Sequence, residues 1–149
     1  MDPYMKEAIE EARKGIRQRH GGPFGCVIVK DGKIVGRGHN EVVKRHDPTC
    51  HGEMMAIRDA CRNLGDFDLS DCELYTTAEP CPMCLGAIYW ANVKKVCYGC
   101  NVADTDAIGF RDEVFYNRAR DGEFLVETDR AECLEVFREY TEIADKTMY

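Results

Sequence analysis

A chain of 149 residues, 44% hydrophobic and 32% charged, has the composition of a globular protein with length enough for one core, read as a single domain over 1-149. No apolar run nears the roughly 20 residues of a membrane span, and Met1 to Arg19 lacks the apolar stretch and small residues of a secretory signal, so the expected location is the cytoplasm. Nine cysteines, an odd number without an export signal, read as reduced thiols, some of them binding metal; the net charge of -7 disfavours a long nucleic acid and favours a small substrate.

Tyr4, Met5, Ala8, Ile9, Ala12 and Ile16 recur at three- and four-residue steps among charges, predicting an amphipathic helix that ends near His20-Gly21-Gly22. Phe24 to Lys30 and Lys33 to Gly38 are apolar, β-branched runs joined by Asp31-Gly32, whose positive φ angles suit a tight antiparallel hairpin. From His51 onward, Met54, Ile57, Ala60, Cys61 and Leu64 mark one helical face, and Gly65 stands at its stop. Leu74 to Thr77 forms a short strand, and Pro82 opens a third helix that runs to Trp90 and, lacking a polar face, reads as buried. Val93 to Tyr98 reads as a fourth strand, Phe124 to Glu127 as a weaker fifth, and roughly Arg130 to Ile143 as an amphipathic terminal helix; the stretch holding Asp104, Asp106 and Asp112 reads as irregular. Helices between successive strands after the hairpin imply right-handed crossovers and parallel pairing, hence an α/β fold layered α/β/α.

The chemistry is carried by His51-Gly52-Glu53 and, thirty residues on, by Pro80-Cys81-Pro82-Met83-Cys84. One imidazole and two thiolates, His51, Cys81 and Cys84, are three ligands for one zinc ion per chain. Structural zinc normally has four protein ligands, whereas a catalytic site keeps its fourth position for water. Both ligand groups fall at helix starts, where free backbone N–H groups and the positive end of the dipole favour thiolates. Glu53, two residues beyond His51 and off its helical face, suits the proton of that water. The pattern H-x-E followed by P-C-x-x-C is the known signature of zinc-dependent nucleobase deaminases. A closed structural zinc site, with Cys50 as fourth ligand, is the plainer alternative. Cys97 and Cys100 read as structural thiols, and His20, His39 and His46 as loop or surface residues.

The chain resembles the bacterial guanine deaminases of the cytidine deaminase superfamily over nearly its whole length. The resemblance rests on Gly21-Gly22-Pro23-Phe24-Gly25, Asn40, Asp47-Pro48-Thr49, His51-Gly52-Glu53, Glu79 to Trp90, Gly109-Phe110 with Asp112, and Tyr149; Gly52 departs from the commoner alanine. It implies a three-layer α/β/α cytidine-deaminase-like sandwich with a five-stranded mixed sheet, and hydrolytic conversion of guanine to xanthine and ammonia in purine metabolism. It further implies a purine stacked on Phe24, read at its edge by Asn40 and walled by Trp90, with Asp112 helping Glu53 to shuttle protons. Tyr149 would close the site from residues 129-149, a C-terminal helix and tail that swaps between the subunits of a homodimer. Each residue also has a plainer reading: Phe24 and Trp90 as core aromatics, Asn40 as a turn residue, Asp112 as a helix cap and Tyr149 as a frayed end.

Three rivals remain open on the sequence. A tRNA adenosine deaminase shares the zinc motif but needs a basic surface, and the last thirty residues carry acids such as Glu127, Asp129, Glu132, Glu135 and Glu139. Guanosine, cytosine and triazine deamination use the same attack on an amino-bearing ring carbon. A zinc-stabilised interaction module without turnover is the non-enzymatic reading, and the intact Glu53 speaks against it.

Overall fold

In the computed structural model, which describes residues 1–118 and 124–149, the chain opens with α1 (Pro3–Arg17). The Asp2 carboxylate caps this helix, accepting from the backbone N–H of Tyr4 at 2.8 Å and of Met5 at 3.0 Å. The hairpin follows as β1 (Gly25–Lys30) and β2 (Lys33–His39), and its two turn residues have the expected positive φ, 50° at Asp31 and 75° at Gly32. After the short α2 (Val42–Arg45) come α3 (Gly52–Leu64), β3 (Cys72–Ala78), α4 (Pro82–Trp90) and β4 (Lys95–Cys100). Gly65 ends α3 in the left-handed region, at φ 66°. The last three helices are α5 (Val102–Ala107), α6 (Asp112–Arg118) and α7 (Arg130–Thr141).

The sheet has the strand order β2-β1-β3-β4. β1 pairs antiparallel with both β2 and β3, while β3 and β4 pair parallel. The crossovers therefore do bring β3 into the sense of β2, but β1 lies between the two, and the expected parallel pairing of neighbours is met only at β3 and β4. Alternation along β1 divides the core. Cys26 and Ile28 join Leu74 of β3, Ala56 and Ala60 of α3 and Ile88 of α4 in one cluster; Val27 and Val29 join Tyr75 and Ala8 of α1 in the other. Among the described residues no helix is long and apolar enough to cross a membrane.

The sheet has four strands among the described residues, not the expected five. Phe124 to Glu127 is irregular, and Phe124, Leu125 and Val126 are all exposed, so this run has no buried face to hold it against a neighbour. The stretch read as irregular instead carries α5 and α6. Asn101 and Asp104 form a reciprocal capping box on α5, a signal present in the sequence but not used. The expectation of a buried third helix holds only on one side: α4 buries Cys84 and Ile88 but leaves Tyr89 70% and Trp90 67% exposed.

What fixes α3 over the sheet is the absence of side chains on β2. A Cβ added at Gly36 would lie 2.6 Å from the Ala56 carbonyl oxygen, and one at Gly38 would lie 2.5 Å from the Ala56 nitrogen. Helix backbone thus rests directly on strand backbone. Gly38→Ala must push α3 away and is expected to destabilise the protein by about 1–3 kcal/mol; a urea midpoint equal to that of the parent would refute this close packing.

Candidate active site

Two helix starts converge beyond the sheet. His51 is the residue before the first turn of α3, at φ -71° and ψ 160°, and Cys81 holds the same place on α4, at φ -65° and ψ 168°, with Pro82 behind it in the first turn. Neither side chain caps its own helix, the usual work of a residue at that position. Both turn to a shared point: His51 Nδ1 lies 3.5 Å from Cys81 Sγ and 3.6 Å from Cys84 Sγ. Zinc bonds of about 2.0–2.1 Å to nitrogen and 2.3 Å to sulfur, set at tetrahedral angles, place such atoms about 3.6 Å apart. Both nitrogen-to-sulfur distances therefore suit a zinc ion, and His51, Cys81 and Cys84 are the three residues that could hold it.

The loop that delivers His51 is built locally. Asp47 Oδ1 accepts from the Thr49 backbone N–H at 2.8 Å and from the Thr49 hydroxyl at 2.7 Å, turning the chain at Asp47-Pro48-Thr49. Arg58 of α3 reaches back to Thr49 Oγ1 at 3.3 Å and to Cys50 Sγ at 3.6 Å. Cys50 is thereby turned to Arg58, and it does not belong to the donor cluster. Hydrogen bonding from Cys84 and from His51 draws the Cys81 thiol well below its ordinary pKa, against its burial, whereas that shared bond and burial push Cys84 up. The bond to Cys81 raises the pKa of His51.

Glu53 is 6% exposed, in the first turn of α3, and burial, the largest effect on it, raises its carboxyl above the ordinary range. Thr76 of β3, itself 1% exposed, has its hydroxyl 3.2 Å from Glu53 Oε1 and 3.1 Å from the Ala78 carbonyl. Thr76 was not singled out in the sequence, where it is one of two threonines in a strand; only the register of β3 turns it toward Glu53.

A cavity of about 590 Å³ opens on the cluster, and Phe24, Asn40, His51, Glu53, Cys81 and Asp112 all line it. Phe110 meets the Phe24 ring edge-on, with centroids 4.9 Å apart, and a Cβ at Gly22 would strike both rings. Asn40 is 5% exposed; its Oδ1 accepts from the Val42 N–H at 3.1 Å, which leaves its NH2 group as a donor. Asp112 opens α6, and burial followed by the nearby Cys81 charge lifts its pKa. The Tyr116 hydroxyl donates to the Pro80 carbonyl at 3.1 Å and ties α6 to the cysteine loop. Pro48 and Met83, which lie within the sequence motifs, also line the cavity, as do Arg111 and Phe115, which no motif in the sequence marked.

Two expected pocket residues lie elsewhere in the single chain. Trp90 is at the far end of α4, eight residues and so about 12 Å along the helix from Pro82. It is packed against Tyr149, ring centroids 6.0 Å apart, and neither residue lines the cavity. Cys97 packs in the α1-side core and Cys100 is exposed, so they form no metal cluster. His46 is exposed, but His39 is buried and His20 half-buried beside Glu41, contrary to the surface reading.

An open three-ligand zinc site beside a buried carboxylate is the centre of a metal-assisted hydrolase. Residues 1–100 match the cytidine and deoxycytidylate deaminase zinc-binding region, and the chain belongs to that family. It is 50% identical over 115 residues to a guanine deaminase of Bacillus subtilis (strain 168), covering 77% of this chain and 74% of that enzyme. It is 48% identical over 96 residues to a tRNA-specific adenosine deaminase of Streptococcus pyogenes serotype M18, covering 64% of this chain and 60% of that one. The crystal structure of guanine deaminase from Bacillus subtilis superposes with a TM-score of 0.94 at 42% identity, covering 100% of this chain and 99% of that one.

If zinc joins α3 to α4, its loss should loosen both. Cys84→Ser is expected to purify with less than one zinc per chain, and chelation of the parent protein to lower its thermal midpoint by several degrees, since a ligand at about 1,000 times its Kd contributes roughly 4 kcal/mol. An unchanged melting curve after verified zinc removal would exclude that role.

Proposed function

We propose that this chain hydrolyses guanine to xanthine and ammonia, a reaction of purine catabolism or salvage, with His51, Cys81 and Cys84 holding zinc. One observation carries the substrate: structural likeness to the guanine deaminase covers 100% of this chain, whereas structural likeness to a tRNA:A34 deaminase covers 66% of it. The donor left on Asn40 supports the choice, because guanine presents N7 and O6 as adjacent acceptors where adenine presents one acceptor and one donor. Phe24, backed by Phe110, is the surface on which the flat ring stacks.

When bound, zinc supplies a Lewis acid that makes a water proton removable near neutral pH. Glu53 takes that proton on the carboxylate oxygen not engaged by Thr76 and passes it to the ring nitrogen beside the attacked carbon, then takes the second proton from the hydroxyl now on that carbon and gives it to the departing amine. Asp112, at the cavity edge with its pKa raised, carries a proton at the same amino group. The oxygen of water enters at C2, the C2–N bond breaks and ammonia leaves. Burial of Glu53 keeps bulk water from competing for these protons.

The two core clusters support reading the fold as a three-layer α/β/α sandwich, with α1 on one face of the sheet and α3 and α4 on the other. We read 1-149 as one domain that works as a cytoplasmic homodimer. Helix α7 supports the dimer: it buries none of its residues, and Val136, Phe137 and Tyr140 are exposed, as are Tyr89 and Trp90 of α4. In that assembly 129-149 swaps between subunits and brings Tyr149 to the mouth of the partner's cavity.

Ammonia release on guanine, guanosine, adenine, cytosine and cytidine is the direct test. Glu53→Gln is expected to lower kcat on guanine about 10²–10⁴-fold with zinc content unchanged. Asn40→Ala should reduce kcat/KM for guanine about 10–100-fold, the worth of one buried hydrogen bond or two. If Asp112→Ala and removal of Tyr149 both leave guanine turnover intact, the roles given to those two residues fail; silence on guanine with turnover of another base, lost in Glu53→Gln, would keep the zinc chemistry and replace the substrate.

A further inference from the structure

A second cluster of metal-binding side chains lies behind the Asn40 wall, away from the cysteines, and the reaction described above makes no use of it. His20 follows α1, and His39 and Glu41 flank Asn40 between β2 and α2, so two segments distant in sequence bring their side chains together. His20 Nδ1 is 2.8 Å from His39 Nε2, and Glu41 Oε1 is 3.8 Å from each nitrogen. The side chains are only 14%, 8% and 10% exposed.

We propose that His20, His39 and Glu41 hold a divalent transition-metal ion of the zinc class, in place of the proton now shared between the two imidazoles. In a triangle with sides of 2.8, 3.8 and 3.8 Å, one point lies about 2.0 Å from all three corners, the length of zinc bonds to imidazole and carboxylate. Opening the nitrogen pair by about 0.5 Å and drawing Glu41 Oε1 in by a similar amount gives the roughly 3.3 Å donor separations of a tetrahedral ion.

The surroundings are those of a ligand histidine. His39 turns its other nitrogen, Nδ1, to Glu11 Oε2 at 3.0 Å, the carboxylate partner that fixes the tautomer with the Nε2 lone pair toward a metal. Its ring is wedged against α1, where a Cβ at Gly15 would come within 2.7 Å of Cδ2. Burial, then the charge of Lys44, lowers the pKa of His20, the direction that ligation by a neutral ring favours. Burial is the largest single effect on Glu41 and raises its pKa, but the bond and charge of Arg45 together with the charges of Lys44 and His39 bring it below the ordinary value. Arg45 occupies Oε2 at 2.6 Å and leaves Oε1 to the cluster; Lys44, 3.5 Å from Oε1 with its side chain 47% exposed, is the cation that must swing out to water. The ion would join α1, β2 and α2 and so brace the strand end that carries Asn40.

Zinc-replete protein titrated with Co2+ tests this without reference to turnover. Because zinc already occupies the thiolates, the expected result is one equivalent of cobalt bound with weak visible absorption and no sulfur-to-cobalt charge-transfer band. His39→Gln and Glu41→Gln should each abolish that equivalent and keep the original zinc. The proposal is overturned if zinc-replete protein binds no cobalt, if cobalt enters only by exchange with a charge-transfer band, or if both variants bind it like the parent. The first of those results would mean that the two imidazoles share a proton and nothing more.

Discussion

Helix backbone lying on strand backbone at Gly36 and Gly38 sets the distance between α3 and the sheet, and the site depends on that distance. With a side chain at either glycine, the first turn of α3 would be held further out, carrying His51 and Glu53 with it. Glu53 would then lose the hydroxyl of Thr76, which belongs to the sheet and cannot follow. The Glu53 carboxylate is therefore positioned from two layers at once, its backbone by α3 and its oxygen by β3. Such a constraint tolerates little variation, because errors of about 1 Å in a reacting group can cost two orders of magnitude in rate.

The zinc ligands make a complementary demand. In most helices the residue before the first turn spends its side chain on the helix's own N–H groups; here His51 and Cys81 are withheld from that task and aimed at each other. The helices start less well capped, and the deficit is made good only when a cation joins the donors. Binding the ion and ordering the cavity floor are then parts of one event. Phe24, Asn40 and Asp112 line the same cavity from other parts of the chain than the two helix starts that carry these donors.

Much of this was legible in the sequence, for identifiable reasons. Asp31-Gly32 predicts its hairpin because few residue pairs accept two positive φ angles, and Gly65 predicts the end of α3 on the same ground. The zinc ligands are legible because their spacing and chemistry leave little alternative. What was missed depends on tertiary placement. Phe124 to Val126 has the composition of a strand, but a strand needs a neighbouring edge, and none reaches this run. His20 and His39 look like loop histidines until the folding of α1 against β2 closes them in with Glu11 and Glu41. Thr76 could not be told from Thr77 without knowing which face of β3 meets α3.

Helix α7 has a different kind of stability from the rest. Twelve residues with none buried are too few for a helix to persist on its own in water. Its backbone amides should exchange with solvent far faster than those of β1, at a rate set by whatever covers the helix rather than by unfolding of the sheet. If that cover is another copy of the chain, protection of residues 130–141 will rise with protein concentration while protection of the sheet stays fixed. The C-terminal region would then report assembly, independently of the fold that carries the site.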